Sequence, residues 1–394
     1  MSAPPGETDE HAPVAQPRDV PGLAEVAGVP VVEGGPTCRV DGAGEGRAYR
    51  VVGEVEVGLD PEGVVVDRRT GLVYVACSRS NAVAVVDSHE LRVVGTIAVG
   101  GEPIDIVVDE QTARVFTADA RSDQVSVIDA DARQVVATIP VGSYPAGLCI
   151  DHEGRRLYCG DAAGSTMSVI DVDRLERVGV VETELGAGAI AVDLAGGRVY
   201  CVNFVASSVT VVDASTLEVL GRVPFEAGPC AAGVHRPTGD LFVVDSLAST
   251  VTRVDGRTGR KIAEMRVPNA PVGLAMGSRD DRLYTGNRGD GTVSVLGLDG
   301  TEWSRIPVGT APGGVCEDPT RPGRVLVANA GSGTLTLVDD LLEGAPASRV
   351  EEVAHPLVGR PMPGLALPDL WTEELRDLGE WAGRKYVINV FASW

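Results

Sequence analysis

A unit of about 42 residues recurs seven times along this chain, and a period of that length confines the fold to a few repeat architectures. Each unit opens with a turn and a short apolar strand: Pro61-Glu-Gly-Val-Val-Val-Asp67, Pro103-Ile-Asp-Ile-Val-Val-Asp109, Pro145-Ala-Gly-Leu-Cys-Ile-Asp151, Ala187-Gly-Ala-Ile-Ala-Val-Asp193, and counterparts beginning at Pro229, Pro271 and Pro312. A second strand carries an aromatic or Leu in one register, at Tyr74, Phe116, Tyr158, Tyr200, Phe242, Tyr284 and Leu326. A third alternates polar and apolar residues and usually ends in Asp, as in Val83-Ala-Val-Val-Asp87 and Val125-Ser-Val-Ile-Asp129. A fourth runs into Val-Gly or a variant, as in Val93-Val-Gly-Thr-Ile-Ala-Val-Gly100. Four antiparallel strands in each of seven units predict an all-β fold, a seven-bladed β-propeller over residues 48–355.

Composition agrees. Aromatic residues make up only 4% of the chain while Gly (49) and Val abound, so the core must be built from small and β-branched side chains, which favours strands. The ring must also close, or two sheet edges stay unpaired. The segment Tyr49-Arg-Val-Val-Gly-Glu-Val-Glu-Val57 is the expected outer strand of the last blade, with Arg349-Val-Glu-Glu-Val353 as the competing candidate. Residues 1–47, rich in Pro, Gly and acidic side chains and without periodicity, are expected to be disordered. The repeats resemble the YVTN class of propellers, whose Tyr-Val-x-Asn, Val-x-Val-Ile-Asp and Val-Gly-x-x-Pro signatures stand nearly intact in several units.

The formal net charge of −22 argues against nucleic acid or an anionic membrane as a partner. No window approaches the ~18 consecutive apolar residues of a membrane span. Met1-Ser-Ala-Pro-Pro-Gly-Glu-Thr-Asp-Glu-His11 lacks the basic and apolar regions of a signal peptide, so the cytoplasm is the expected compartment. Seven cysteines (Cys38, Cys77, Cys149, Cys159, Cys201, Cys230, Cys316) form no Cys-x-x-Cys pair and have no metal-like spacing to histidine; they are expected as reduced, mostly buried thiols. No metal and no cofactor is expected.

On the first strands the large residues, such as Val64 and Val66 or Ile106 and Val108, alternate with small ones, and the period of two is expected to turn the small set towards the central channel. Asp105 departs from this pattern, standing where the other six units have Gly or Ala. A channel acid suits a cation or a substrate amine; a hydrated Asp near the channel mouth is the simpler account. Cys149 and Cys316 share another channel position, either as a redox or metal pair or, with no neighbouring base to lower their pKa, as small fillers of a narrow space. Three residues after the second-strand aromatic comes a ring of Asp119, Asp161, Asn203, Asp245, Asn287 and Asn329, with Cys77 in the first unit. Asn and Asp tolerate tight turns and bond to backbone two residues on, which explains the ring without a ligand. These turns nevertheless share one end of the fold with Asp105. That acidic face is the candidate for binding a protein or small molecule, and a basic or cationic partner suits it.

Residues 356–394 read differently. Gly359-Arg-Pro-Met-Pro-Gly-Leu-Ala-Leu-Pro-Asp369, then Leu375, Leu378 and Gly383-Arg384, lead into Lys385-Tyr-Val-Ile-Asn-Val-Phe-Ala-Ser-Trp394. This segment resembles the start of the thioredoxin-like redoxin family of thiol-disulfide oxidoreductases, in which a Cys following the Trp is the nucleophile. The resemblance implies an incomplete α/β segment whose catalytic residue would follow Trp394, with no catalytic residue in the chain as written. A UGA codon read as selenocysteine, an interrupted assembly or nonsense mutation, and a genuine truncation are the three accounts of that ending. Two functions follow as expectations: a propeller docking module fused to a thiol or selenol oxidoreductase with a thiol-disulfide redox partner, or a non-catalytic propeller binding a protein or small molecule. A lyase is the third, because streptogramin-B-type lyases share this fold and repeat length; their channel-mouth histidine has its nearest counterpart in His235.

Overall fold

The computed structural model describes residues 49–279 and 281–342, together with the short strands 366–368 and 375–377. Residues 49–342 form seven four-stranded antiparallel sheets arranged as the blades of a propeller. The inner strands, in blade order, are Pro61–Val66, Pro103–Asp109, Pro145–Asp151, Ala187–Asp193, Pro229–His235, Pro271–Met276 and Pro312–Glu317. Two single turns of 3-10 helix, Ser78–Ser80 and Ala120–Ser122, interrupt the strands. No helix among the described residues is long and apolar enough to cross a membrane.

Burial grades outward through each blade and explains the strand sequences. Second strands such as Arg156–Asp161 are buried along nearly their whole length and so read as continuous apolar runs. Fourth strands such as Gln134–Pro140 expose alternate residues, and only Ile139 is fully buried. The apolar side chains gather into seven clusters, each between two adjacent blades. Tyr74, Val83, Val85 and Ile97 of the first blade, for example, meet Ile106, Val108, Val115 and Ile128 of the second.

This packing corrects the expectation for the inner strands. Val64 and Val66 face the seventh blade, whereas the alternate residue Val65 packs towards the second. Cys149 likewise packs against the fourth blade. Both faces of every inner strand are therefore covered by neighbouring sheets, and the channel is lined by strand edges. Close approach fixes the small residues: a Cβ on Gly147 would lie 2.5 Å from the carbonyl oxygen of Gly188, and one on Gly273 2.2 Å from that of Gly313.

Turn chemistry accounts for the recurrent Asp at strand ends. Asp87, Asp129, Asp171, Asp213 and Asp255 each accept the amides two and three residues on, His89 and Glu90 in the first case at 2.9 and 3.0 Å. Polar side chains also tie blade to blade. Tyr74 and Tyr200 hydroxyls donate to the carbonyls of Ala130 and Gly256 in the following blades, at 3.3 and 3.1 Å. Between the sixth and seventh blades this tie is ionic. Fully buried Arg282 bonds to Asp340 at 2.7 Å and lies 4.9 Å from the ring centroid of Trp303, and Tyr284 donates to the same Asp340 carboxylate at 3.0 Å.

Ring closure falls to the N-terminal candidate. Tyr49–Glu56 pairs antiparallel with Thr334–Asp340 and forms the outer strand of the seventh blade, with Val55 opposite Leu335. Arg349–Val353 lies outside the described residues, as do residues 1–47 and the redoxin-like strand Tyr386–Phe391. Residues 347–394 form a second unit, of which the described part is an antiparallel pair of Ala366–Pro368 with Leu375–Asp377.

Candidate functional site

The antiparallel connections bring two sets of loops to one end of the propeller: the turns between second and third strands, and the links from each fourth strand to the next inner strand. This end, the upper face, carries the Asp and Asn ring and the start of each inner strand, where Asp105 lies.

The Asp and Asn ring lies beneath those turns and does not present its side chains to solvent. Asp119, Asp161, Asn203, Asp245, Asn287 and Asn329 are at most 2% exposed. Asp161 accepts the Gly142 amide (3.0 Å) and the hydroxyls of Thr166 (2.9 Å) and Ser168 (2.8 Å). Asn203, Asn287 and Asn329 donate to hydroxyls five and seven residues on: Ser208 and Thr210, Thr292 and Ser294, Thr334 and Thr336. Asp119, Asp161, Asn203, Asn287 and Asn329 thus cross-link neighbouring strands, whereas Asp245 caps its turn by accepting the Ala248 amide at 3.0 Å; none of the six forms an acidic docking surface. A polar side chain at the end of a strand covered on both faces has to find its partners inside. Burial pushes the carboxyls of Asp119 and Asp161 upward against these bonds. Asn287 Oδ1 has no partner; Pro268, which has no amide hydrogen, occupies the place from which Gly142 donates in the third blade. Cys77, in the ring position of the first blade, has its Sγ 3.5 Å from the carbonyl of Val57.

Asp105 stands at the close contact between the second and third blades. Its Oδ2 accepts the amide of Leu148 at 2.8 Å and its Oδ1 that of Ile106 at 2.8 Å. The inner-strand edge has no sheet neighbour, so the carboxylate supplies an acceptor to a backbone amide that would otherwise face the channel. Burial pushes this carboxyl up to about 6, although both amide bonds oppose the shift. Cys149 and Cys316 occupy different blade interfaces. Burial pushes both thiols up to about 12, which leaves them protonated and suits them to filling space. His235 takes the place of the turn Asp at the opposite end of its inner strand, 95% buried, with Nδ1 2.9 Å from the Thr238 hydroxyl.

At the channel mouth Glu62 and Arg288 form a bidentate pair at 2.9 and 3.1 Å, joining the first blade to the sixth across the seventh. Gly313 makes room for it, because a Cβ there would lie 2.6 Å from Glu62 Oε2. Neither residue carries a sequence signal, since each is a single departure in one repeat.

Alongside charged residues such as Arg121 and Asp123, the loops of the upper face expose apolar groups. Leu59, Tyr144, Leu185, Phe204, Val205 and Leu247 all lie in its loops, with exposures of 38% at Tyr144 to 71% at Leu247. Five of the six belong to the third, fourth and fifth blades. Two glycines of positive φ seat this patch: a Cβ on Gly186 would lie 2.5 Å from the Val205 amide nitrogen, and one on Gly228 2.7 Å from Leu247 Cγ. Tyr144 is held by its hydroxyl, which donates to Glu102 at 3.1 Å, and Glu102 also pairs with Arg121. Glu102, Asp123, Glu184 and Glu226 border the patch. Sequence reading missed it because each apolar loop residue is unremarkable within its own repeat. Among the described residues, no group of three or more His, Cys, Asp or Glu is placed to hold a metal ion.

Residues 59–282 match the model of the family described as YNCE-like beta-propeller. Among solved structures, 1624 chains match, so this architecture by itself selects no activity. One is a chain of Kuenenia stuttgartiensis hydrazine synthase, 22% identical, with a TM-score of 0.65, covering 72% of the present chain and 96% of that one. At this identity the likeness concerns the fold alone. No curated protein matches the chain.

Proposed function

The chain belongs to the YNCE-like β-propeller family, and from that premise we propose that it is a non-catalytic recognition module that docks a protein partner on its upper face. The observation that carries this reading is the gathering of exposed Tyr144, Leu185, Phe204, Val205 and Leu247 in the loops of three consecutive blades. Scattered exposed apolar residues are ordinary, whereas a contiguous set rimmed by charge marks an interaction surface. The partner's chemistry follows from the rim: Glu102, Asp123, Glu184 and Glu226, on a chain of net charge −22, favour a segment with aliphatic or aromatic anchors flanked by Lys or Arg. Selection from a displayed peptide library tests it. Peptides combining apolar anchors with basic flanks should be enriched, and Phe204→Ser with Leu247→Ser should abolish the enrichment. Enrichment that survives both changes, or none at all, overturns the reading.

The second reading makes the propeller the docking module of a thiol or selenol oxidoreductase. Its support is the resemblance of Gly383-Arg384 and Phe391-Ala-Ser-Trp394 to a redoxin entry strand. Insulin reduction by a chain carrying Cys or selenocysteine after Trp394 and a complete redoxin continuation tests it; an inactive, folded product counts against it.

A further inference from the structure

Blade five breaks the strand-locking pattern of its neighbours, and the break opens a cleft. In the third blade the ring residue Asp161 is bonded by the hydroxyls of Thr166 and Ser168. In the fourth, Asn203 holds Ser208 and Thr210, and Glu184 covers them by pairing with Arg222 at 3.5 Å and accepting from Ser208. Blade five has the same residue types at the same offsets, Asp245 with Thr250 and Thr252, yet neither hydroxyl bonds to Asp245. The Asp245 carboxylate is held instead by the amides of Ala248 (3.0 Å) and Ala227 (3.4 Å). Thr250 and Thr252 are 5% and 3% exposed, and both line a cleft of 410 Å³.

The cover is missing because one charge is reversed. Arg222 lies opposite Thr210 in the fourth blade, and Glu264 lies opposite Thr252 in the fifth. Glu226, in the place of Glu184, therefore meets a like charge and has no cation to close over the hydroxyls. The remaining walls are Phe225, Lys261 and Arg266, with Lys261 Nζ 4.4 Å from the Phe225 ring centroid. No ion pair joins Lys261 or Arg266 to Glu226 or Glu264 among the described residues.

We propose that this cleft between blades four and five binds a small zwitterion of the free amino acid class. Its ammonium faces Asp245, Glu226 and Glu264, its carboxylate faces Lys261 and Arg266, and the cleft-lining hydroxyls of Thr250 and Thr252 supply the fixed polar contacts that orient a ligand in such a site. Charges of both signs with no ion pair between them, around the cleft-lining hydroxyls of two nearly buried threonines, favour a zwitterion over a simple cation or anion. The cleft adjoins the docking patch, sharing Glu226 with its rim, and the proposal stands without that patch.

Titration calorimetry at low ionic strength, with glycine, L-glutamate, L-lysine, putrescine and succinate as probes, tests the proposal. At least one amino acid should bind, at least tenfold tighter than putrescine, which lacks the carboxylate, and succinate, which lacks the amine. Glu264→Arg installs the cation of blade four at an exposed position and should close the cleft, weakening that binding at least tenfold with an unchanged melting temperature; Thr252→Val should weaken it without altering charge. The absence of binding by all three amino acids at 10 mM (about 1.4 kcal/mol weaker than a millimolar complex), equal binding of putrescine or succinate, or undiminished binding to Glu264→Arg would each overturn it.

Discussion

Asp105 Oδ2 accepts the amide of Leu148 at 2.8 Å, so that a carboxylate of the second blade completes the bonding of the third blade's inner strand. The same carboxyl is pushed by burial up to about 6, above the 3.8 of an ordinary Asp. A folded-state pKa raised above the unfolded one means that the folded protein binds the proton more tightly. The associated stability is present below about pH 4 and is lost as the pH rises through about 6. A shift of about 2 units corresponds to at most about 3 kcal/mol, reduced by the solvent that reaches the channel side.

Asp105→Asn removes this titration while keeping one acceptor oxygen. Unfolding by denaturant at pH 5 and pH 8 should show the variant gaining about 1 to 2 kcal/mol on the wild type between the two. Parallel stability curves would mean that the carboxylate is solvated well enough to ionise at little cost.

Arg282 and Asp340 lock the junction of the sixth and seventh blades, fully buried and 2.7 Å apart. Removing one partner strands a charge in the core, so Arg282→Ala should cost about 3 to 5 kcal/mol, whereas replacing both by apolar residues (Arg282→Met with Asp340→Leu) should restore much of it. A double-mutant cycle followed by thermal unfolding checks this. Additive losses would show that Arg282 is held by Asp281, 2.6 Å away, and the Trp303 ring rather than by Asp340.

Closure by Tyr49–Glu56 makes the ring depend on residues far from it in sequence. Deleting residues 1–56 removes Val55 from the cluster between blades seven and one and leaves Thr334–Asp340 as an unpaired edge. The shortened chain should melt at a lower temperature and elute from size exclusion as oligomers. A monomer of wild-type stability would reassign the closing strand.

How legible this molecule is in its sequence depends on whether a feature repeats. The four strands of each blade follow from alternation and turn residues, and Tyr49–Val57 betrays its role because it precedes the first complete unit with no partner of its own. Asp119 and its equivalents are equally visible, but their burial is not, and nothing local distinguishes a strand-locking Asp from a turn-capping one: Asp161 and Asp245 both have hydroxyl residues five and seven positions on, yet only Asp161 is bonded by them. Features made by one departure are the hardest to find. Gly313 leaves the room in which Glu62 reaches Arg288, and Glu264 stands opposite Thr252 where the fourth blade sets Arg222 opposite Thr210.

The thiols give a direct check on the interior. Burial pushes Cys77, Cys149, Cys201, Cys230 and Cys316 up to about 12, and Cys159 well above the ordinary range. In a Cys38→Ser background none of the six should react with a thiol-disulfide reagent at pH 8 while the protein is folded, and all six should react in denaturant. Rapid labelling of Cys149 or Cys316 in the folded protein would restore the idea of a reactive channel thiol.

Tyr144 separates docking from folding. It sits at φ 56 immediately before Pro145, a left-handed conformation that costs a non-glycine residue roughly 1 kcal/mol. The equivalent places before the inner strands of blades four and five are Gly186 and Gly228, at φ 86 and 60. Tyr144→Gly relieves that strain and gives up the hydroxyl bond to Glu102, so the two effects offset and stability should stay within about 1 kcal/mol of wild type. The same change removes the aromatic group that the third blade contributes to the exposed apolar set of the upper face. Partner peptides selected by the wild-type protein should bind the variant at least tenfold more weakly, and Tyr144→Phe should retain most of the affinity. A Tyr144→Gly protein that binds as tightly as wild type would move the docking surface away from the third blade.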